Sequence, residues 1–307
     1  MSLLPDEDVT LRLREVTKSF DGFTAVDGLS LDVRRGRIFG LLGPNGAGKT
    51  TTIRMIVGIT EPDSGGVELF GRRMSAELQG RVGYLPEERG LYKKMRVGEQ
   101  LRFFGELKGM TAREADAAAA RWLERLKLSD RRDSRTDTLS KGMQQKVQFV
   151  ATVMHEPGLL ILDELFSGLD PINASLMEEV VLELKSAGRA IIFSTHMMEH
   201  AEKLCDDICL INRSRKVLEG SLREVRAGFG RNAVAVRAEG AEDVLADRSL
   251  VAAVKPAADR AEVLLAEGAD PQALLARLVE RGARVSLFER VEPTLRDIFI
   301  AKVGETA

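Results

Sequence analysis

The feature that most constrains this chain is a glycine-rich turn, Gly43-Pro44-Asn45-Gly46-Ala47-Gly48-Lys49-Thr50. It follows a continuous apolar run over 38–42, which is typical of a strand buried on both faces of a parallel sheet. It precedes a predicted helix from Lys49 to about Gly58. A buried strand, a glycine turn and a helix in this order begin an α/β unit, so we expect a parallel sheet covered by helices.

The turn matches the pattern G-x-x-x-x-G-K-S/T of a phosphate-binding P-loop. Its glycines let successive backbone N–H groups point at phosphate oxygens, and the following helix N-terminus adds partial positive charge. Lys49 would place its charge at the β- and γ-phosphates, and Thr50 would offer a hydroxyl to Mg²⁺. A chance glycine turn is the alternative interpretation, but the flanking strand and helix are the context that favours a P-loop.

Two further apolar runs, 159–162 and 190–193, predict buried strands, and a helical pattern follows each. Residues 97–155 are predicted to be helical. Near the N-terminus, 11–16 alternates apolar and charged residues and predicts an edge strand, and 29–33 alternates again. The first part of the chain is therefore predicted to be a parallel sheet with a helical insertion.

From about residue 229 the composition shifts toward Ala and Val, and a separate small α+β domain is predicted over 229–307. Its βαββαβ order is typical of a ferredoxin-like arrangement. No cluster of titratable groups there suggests chemistry, so its expected role is a packing or dimer surface. The predicted elements are strand 233–239, helix 241–248, strand 250–255, strand 261–266, helix 270–281, strand 283–289 and helix 294–303.

Two carboxylates, Asp163 and Glu164, stand at the end of the apolar run 159–162. The carboxyl ends of parallel strands are where ligands bind in open sheets. Asp163 is placed to hold Mg²⁺ through its water shell, and Glu164 to deprotonate a water facing the γ-phosphate. A solvated strand end is the alternative for this pair alone, and the P-loop favours the functional interpretation.

The order of these motifs resembles an ATP-binding-cassette (ABC) ATPase, the nucleotide-binding subunit of an ABC transporter. The resemblance covers about 9–220. It implies an α/β P-loop NTPase with an antiparallel β subdomain and a helical subdomain, an ATPase domain over 1–228 and the helical part about 87–157. Behind the P-loop come segments that resemble the Q-loop, the signature, the D-loop and the H-loop: Gly83-Tyr84-Leu85-Pro86-Glu87, Leu139-Ser140-Lys141-Gly142-Met143, Ser167-Gly168-Leu169-Asp170 and Ser194-Thr195-His196.

The resemblance implies ATP and Mg²⁺ as cofactors, with Glu164 as catalytic base and His196 at the γ-phosphate. Thr50, Glu87 and Asp163 would hold Mg²⁺. Phe20 would stack on the base, and the signature residues would bind the ATP of a second copy, giving a head-to-tail homodimer bridged by Asp170. The residues assigned to the nucleotide are Phe20, Val26, Gly43, Pro44, Asn45, Gly46, Ala47, Gly48, Lys49, Thr50, Thr51, Ser140, Lys141, Gly142, Met143 and Asp170.

Three positions depart from the family pattern. Glu87 stands where a Gln is usual, and its carboxylate adds negative charge beside the phosphates unless the metal offsets it. The signature reads LSKGM in place of LSGGQ, and it keeps Ser140 and Gly142, so we expect it to be competent. Leu165 replaces a Pro, with only a local effect expected.

Composition and charge limit the classes of partner that this chain is expected to bind. The chain has 45 Lys and Arg against 47 Asp and Glu, a net charge of −2, so no nucleic-acid partner is expected. The acidic start lacks the apolar core of a signal peptide, and no stretch reaches the about 18 apolar residues of a membrane helix. Without direct lipid insertion, the expected place is peripheral, on the cytoplasmic side of the membrane, beside an ABC-type permease. The ending 292–299 resembles sodium- or drug-exporter subunits, which implies export.

Three alternatives stay open at this point. One is a soluble cassette ATPase that acts on ribosomes or DNA. Another is a cassette that binds ATP without hydrolysing it, against which the intact Glu164 and His196 argue. The third is a zinc site, because His196-Met197-Met198-Glu199-His200 matches H-x-x-E-H. That pattern needs both histidines on one helix, whereas His196 directly follows an apolar strand.

Overall fold

The computed structural model describes residues 8–88, 90–229, 233–256 and 259–304. The chain divides into two compact units, 1–222 and 223–307. The strands of the first unit are β1 (Val9–Phe20), β2 (Phe23–Arg34), β3 (Ile38–Leu42), β4 (Ser64–Leu69), β5 (Arg72–Arg73), β6 (Val82–Leu85), β7 (Leu159–Asp163), β8 (Ala190–Thr195), β9 (Asp207–Asn212) and β10 (Arg215–Ser221). Its helices are α1 (Lys49–Ile56), α2 (Ala76–Gln79), α3 (Val97–Leu107), α4 (Ala112–Arg125), α5 (Lys141–Val153), α6 (Pro171–Ser186) and α7 (Met198–Leu204).

A six-stranded sheet in the order β10-β9-β3-β8-β7-β6 forms the centre of the first unit. Neighbouring strands from β9 through β6 run parallel, and β10 pairs antiparallel with β9. Every residue of β3, β7 and β8 is buried, as expected for strands covered on both faces. The predicted parallel sheet is confirmed, and its order brings the carboxyl ends of β3, β8 and β7 side by side.

A second, antiparallel sheet has the order β2-β1-β4-β5. The prediction of an edge strand over 11–16 is wrong, because β1 lies between β2 and β4 and runs for 12 residues. The charged residues that suggested an edge are paired across the sheet: Arg12 and Arg14 both contact Asp32 of β2, at 3.2 and 2.9 Å. A polar face can therefore belong to an inner strand of a sheet that is covered on one side only.

The predicted helical region contains α3, α4 and α5. Helix α4 begins in a capping box in which Thr111 accepts from the Glu114 N–H and Glu114 accepts from the Thr111 N–H. Trp122 of α4 packs edge-on against Phe149 of α5, with ring centroids 6.3 Å apart. Within the described ranges, no helix combines the length and the apolarity that crossing a membrane requires.

The second unit opens with α8 (Leu222–Phe229). The division after residue 222 lies six residues before the predicted end of the ATPase domain at 228. Within this unit Arg226 of α8 pairs with Glu292 at 3.5 Å. The other elements are β11 (Ala233–Glu239), α9 (Glu242–Leu245), β12 (Val251–Pro256), β13 (Ala261–Leu265), α10 (Pro271–Glu280), β14 (Arg284–Arg290) and α11 (Leu295–Gly304).

The sheet of the second unit has the order β12-β13-β11-β14, with every neighbouring pair antiparallel. Together with the βαββαβ chain order, this confirms the predicted ferredoxin-like arrangement. Its core is built from one face of the sheet and the apolar stripe of α10, including Val234, Val263, Leu274 and Leu278.

Two adjacent glycines at the start of β4 give a matched test of packing between the antiparallel strands. Gly65 has φ +82°, and a Cβ there would lie 2.3 Å from the carbonyl oxygens of Arg14 and Glu15. A Cβ on Gly66 meets nothing within 4 Å. We expect Gly65→Ala to lower the free energy of unfolding by about 2 kcal/mol or more, through strain and overlap. Gly66→Ala should stay within about 0.5 kcal/mol of the parent. Urea unfolding of both variants checks this, and equal effects would contradict it.

Candidate functional site

The predicted P-loop joins the end of β3 to the start of α1, and its glycines are required by close backbone contacts. Gly43 has φ +150°, and a Cβ there would lie 2.2 Å from the Ile211 carbonyl oxygen. Gly48 has φ +108°, and its Cβ would lie 2.3 Å from the Ala25 carbonyl oxygen. Any larger residue would push the loop away from the neighbouring strands. These contacts fix the backbone conformation of the loop, which leads directly into the N-terminus of α1.

Lys49 is only 7% exposed, although it carries a charge. Its Nζ donates to the carbonyl oxygens of Gly43, at 2.8 Å, and Pro44, at 3.1 Å, so the side chain folds back across its own loop. Burial lowers the pKa of Lys49, while the charges of Glu164, Asp163 and Glu87 act in the opposite direction. These carboxylates therefore favour the charged form of Lys49 at the place where phosphates would bind.

Asp163 ends β7 and is 2% exposed. Burial raises the pKa of its carboxyl, the nearby Ser194 hydroxyl opposes this effect, and the charges of Glu164 and Glu87 add to it. Among the described residues its Oδ2 atom has no hydrogen-bond partner. A buried carboxylate oxygen without a partner fits a cation, and Thr50 and Glu87, which carry further oxygen ligands, line the same cleft.

The set of donors is the one that Mg²⁺ prefers. Within the part of the chain that the structure describes, no three His, Cys, Asp or Glu side chains cluster as a metal cage. Mg²⁺ does not need such a cage, because it is usually held by one or two carboxylates together with the phosphates of a nucleotide. The residues present therefore fit Mg²⁺ in this cleft.

The Glu164 carboxylate is held by three contacts with the last residue of β8 and the residue that follows it. Its Oε2 accepts from the Thr195 hydroxyl at 3.1 Å. Its Oε1 accepts from the His196 backbone N–H at 3.0 Å and lies 2.7 Å from His196 Nδ1. The Glu164 backbone is in the left-handed region, with φ 50°, and its N–H donates to the Ser194 carbonyl at 2.9 Å. Such strain is common at functional sites, where the surrounding contacts hold the residue in place.

The resemblance implies that His196 contacts the γ-phosphate. The structure shows a further contact, between the His196 ring and the Glu164 carboxylate. The ring is half exposed, and its Nδ1 atom faces Glu164. Sequence reasoning gave no signal for this pairing, because it depends on β7 and β8 being neighbours.

A cleft of about 360 Å³ brings most of the predicted residues together. Phe23 and Ala25, which the sequence did not indicate, also line it. Phe23 pairs with Phe20 across the β1–β2 hairpin, and the two rings are 63% and 47% exposed. The turn Asp21-Gly22 was the available signal, since it places these two rings side by side. The predicted residues that line the cleft are Phe20, Asn45, Gly46, Gly48, Lys49, Thr50, Thr51, Glu87, Asp163 and Glu164.

Four residues assigned to the nucleotide have other positions. Val26 is 1% exposed and belongs to the core beneath the loop, whereas its neighbour Ala25 faces the cleft. Ala47 is also buried, at 3% exposure. Gly43 and Pro44 provide the carbonyls that hold Lys49 and do not line the cleft themselves.

The signature residues lie outside this cleft as the described residues define it. Ser140 caps α5, and its hydroxyl accepts from the Met143 N–H at 3.2 Å. Lys141, Gly142 and Met143 form the first turn of the helix. Asp170 caps α6 in the same way, accepting from the Asn173 N–H at 2.9 Å. Both side chains thus cap a helix start, and neither residue is among the described residues that line the cleft of the P-loop.

The two histidines of the H-x-x-E-H pattern do not lie on one helix. His196 precedes α7, which begins at Met198. His200 stacks on Phe166, with centroids 4.4 Å apart. Since the two rings have different partners, the arrangement that a zinc peptidase needs is not formed.

A P-loop at the end of one parallel strand, with an aspartate and a glutamate at the end of another, defines a nucleoside-triphosphate-binding protein of the P-loop class. Comparison with known proteins gives the family. Residues 26–167 match the family described as ABC transporter, and 220–303 match the "ATP-binding protein DrrA1-3-like, C-terminal domain". The chain belongs to the ATP-binding proteins of ABC transporters.

The relatives resemble this chain along nearly its full length. It is 44% identical to the uncharacterized ABC transporter ATP-binding protein YhaQ of Bacillus subtilis (strain 168), over 96% of this chain and 98% of that protein. It is 35% identical to the Nod factor export ATP-binding protein I of Burkholderia lata, over 95% of this chain and 96% of that protein.

Two solved structures resemble the ATPase part. One, described as the structure of the ATP binding subunit of an ABC transporter, has a TM-score of 0.67 and 32% identity over 72% of this chain and 93% of that chain. The other is cbiO1 from Clostridium perfringens, with a TM-score of 0.66 and 27% identity over 73% of this chain and 92% of that chain.

Replacing the loop lysine tests the cleft as a nucleotide site. We expect Lys49→Ala to weaken ATP binding by about tenfold or more, the loss typical of hydrogen bonds to a charged group. Lys203→Ala, on the exposed side of α7, should bind ATP like the parent. Equilibrium titration with a fluorescent ATP analogue measures both affinities. Unchanged affinity in a folded Lys49→Ala protein would argue against phosphate binding at this loop.

Proposed function

We propose that this protein is the ATP-hydrolysing subunit of an ABC exporter and drives transport by a separate membrane permease through ATP-sandwiched dimers. The observation that carries hydrolysis is the Glu164 carboxylate. It is 9% exposed, is fixed by Thr195 and His196, and lines the same cleft as Lys49. A carboxylate held in this way is suited to accept a proton from a water molecule.

The residues of the cleft divide the work of the reaction. The P-loop N–H groups and Lys49 bind the β- and γ-phosphates. Thr50, Asp163 and Glu87 would hold Mg²⁺, which would neutralise charge on the phosphate oxygens. Glu164 takes a proton from the water while the water oxygen forms a bond to the γ-phosphorus. The bond from that phosphorus to the β–γ bridging oxygen breaks, giving ADP and phosphate.

The position of the signature residues supports a dimer. Ser140, Gly142 and Asp170 lie outside the chain's own cleft, on the capped starts of α5 and α6. A helix N-terminus with a serine cap is suited to bind an anion. In a head-to-tail pair, the α5 start of one copy would bind the γ-phosphate held by the other. ATP then links the copies, and phosphate release loosens them.

Names of relatives support transport. Several are named Nod factor export ATP-binding protein I, and cbiO1 is described as part of the ABC transporter complex cbiONQ. By analogy, this chain works with a permease on the cytoplasmic side of the membrane, and export is the direction that we propose. A ribosome- or DNA-associated ATPase is the rival, and a net charge of −2 does not favour it.

Removing the proposed base separates ATP binding from hydrolysis. We expect Glu164→Gln to lower kcat about a hundredfold or more, because the amide cannot accept the proton, and to form dimers when ATP is added. Glu199→Gln, which neutralises an exposed carboxylate at the start of α7, should hydrolyse ATP like the parent. Phosphate release and size-exclusion chromatography with light scattering measure the two effects. Parent-like turnover in Glu164→Gln would reject this base.

A second change identifies the surface that closes the dimer. The space for a Cβ at Gly142 is ordinary, with the nearest atoms at 3.5 and 3.7 Å, so Gly142→Asp should fold. Added to Glu164→Gln, it should leave ATP affinity unchanged and abolish the ATP-dependent dimer, because a carboxylate then faces the phosphate. Dimers that persist would show that the signature does not act across the interface.

The transport proposal is tested by the partner. We expect the tagged Glu164→Gln chain, loaded with ATP in detergent-solubilised membranes of its own cells, to co-purify with a polytopic membrane protein encoded beside its gene. Lys49→Ala, which lacks ATP-driven closure, serves as the comparison for nucleotide dependence. Recovery of ribosomes or DNA in place of a membrane protein would favour the rival function.

A further inference from the structure

Gln148 of α5 contacts the backbone on both sides of Glu87. Its Nε2 donates to the Pro86 carbonyl at 3.3 Å and to the Glu88 carbonyl at 3.2 Å. The side chain is 5% exposed. Glu87 lies between these two carbonyls along the chain, it lines the nucleotide cleft, and its charge acts on Lys49. A buried amide thus uses both of its N–H donors on the segment that carries one of the three residues proposed to hold Mg²⁺.

The packing of α5 against β6 brings Gln148 within reach of this segment. A Cβ on Gly83 of β6 would lie 2.4 Å from the Thr152 carbonyl oxygen, so the helix and the strand touch at their backbones. One turn after Gln148, the Thr152 hydroxyl lies 3.5 Å from the Tyr84 carbonyl oxygen. Gln148 and Thr152 share a helix face because they are four residues apart. That face of α5 therefore contacts both β6 and the segment 86–88 that follows it.

Two other buried side chains of α5 contact segments that carry functional residues. Gln145 donates to the carbonyl of Leu165, directly after Glu164, at 3.1 Å. Lys146 donates to Asn173 Oδ1 at 3.0 Å, and Asn173 in turn binds Asp170. Helix α5 is therefore a common support for these segments, and Gln148 is its contact with the backbone that flanks Glu87.

We propose that Gln148 is a positioning residue for the reaction: it fixes the backbone around Glu87 so that this carboxylate stays at the Mg²⁺ end of the cleft. The inference rests on the proposed function above. It also links two sites, because α5 starts at Ser140, about 12 Å along the helix axis from Gln148. A shift of the α5 start against a second copy's nucleotide is passed to Glu87 through a buried contact.

The isosteric change Gln148→Met removes both donors and keeps the volume. We expect it to weaken Mn²⁺ binding about tenfold in the presence of a non-hydrolysable ATP analogue, the usual effect of losing an outer partner of a metal ligand. Electron paramagnetic resonance of free Mn²⁺ measures this affinity. Binding of the same analogue without metal should not change, and amide exchange in the peptide 82–88 should rise.

Gln100→Met is the matched control. Gln100 is fully buried and donates to the Thr136 hydroxyl at 2.9 Å, away from the cleft. It should cost stability and leave Mn²⁺ binding at the parent value. If Gln148→Met does not fold, Gln148→Asn keeps the donors with a shorter reach and should show a smaller loss in the same measurement.

A double-mutant cycle separates positioning through Glu87 from a general structural role. In the Glu87→Ala background, Gln148→Met should cause no further loss of Mn²⁺ affinity, because the residue that it positions is already gone. Equal losses in both backgrounds, or parent-like Mn²⁺ binding by Gln148→Met alone, would overturn the inference. If the parent protein itself binds no Mn²⁺ with the analogue, the proposed function fails and not merely the role of Gln148.

Discussion

The site depends on three parallel strands that end side by side. In the sheet, β8 lies between β3 and β7, so the P-loop after β3 and the carboxylates after β7 flank the end of β8. This central strand provides Thr195 and His196, which hold Glu164. Because each of these strands is buried along its whole length, their ends cannot shift independently. The distance between the phosphate loop and the base is set by sheet packing.

Charge explains why this edge needs both a cation and a nucleotide. Asp163, Glu164 and Glu87 line one cleft with a single lysine, Lys49. Burial raises the pKa of Asp163 and lowers that of Lys49, so the charged form of each is costly without a partner. Mg²⁺ would satisfy the carboxylates and phosphates would satisfy the lysine. The two ligands would therefore favour each other, and Glu87 in place of glutamine would increase the dependence of nucleotide binding on the metal.

Local patterns in the sequence predicted most of the fold. Continuous apolar runs located β3, β7 and β8, and the predicted βαββαβ order of the second unit is the order observed. The wrong prediction, an edge position for β1, came from charges that are paired with Asp32 on a strand distant in sequence. Motifs indicated Lys49 and Glu164, and the Asp21-Gly22 turn could have indicated Phe23, but the contact between His196 and Glu164 depends on β7 and β8 being neighbours. Periodicity alone carries no such information.

The same limit explains why Gln148 carries no sequence signal. A glutamine two turns into a helix is ordinary for helix propensity, and its significance comes only from the segment against which it is buried. Once α5 packs on Gly83, that side chain has two backbone carbonyls to satisfy, and both flank Glu87. The helix that would bind the nucleotide of a second copy would then also position part of the proposed metal site in its own copy. Closure of the dimer and order at the metal would thus be coupled through one buried helix.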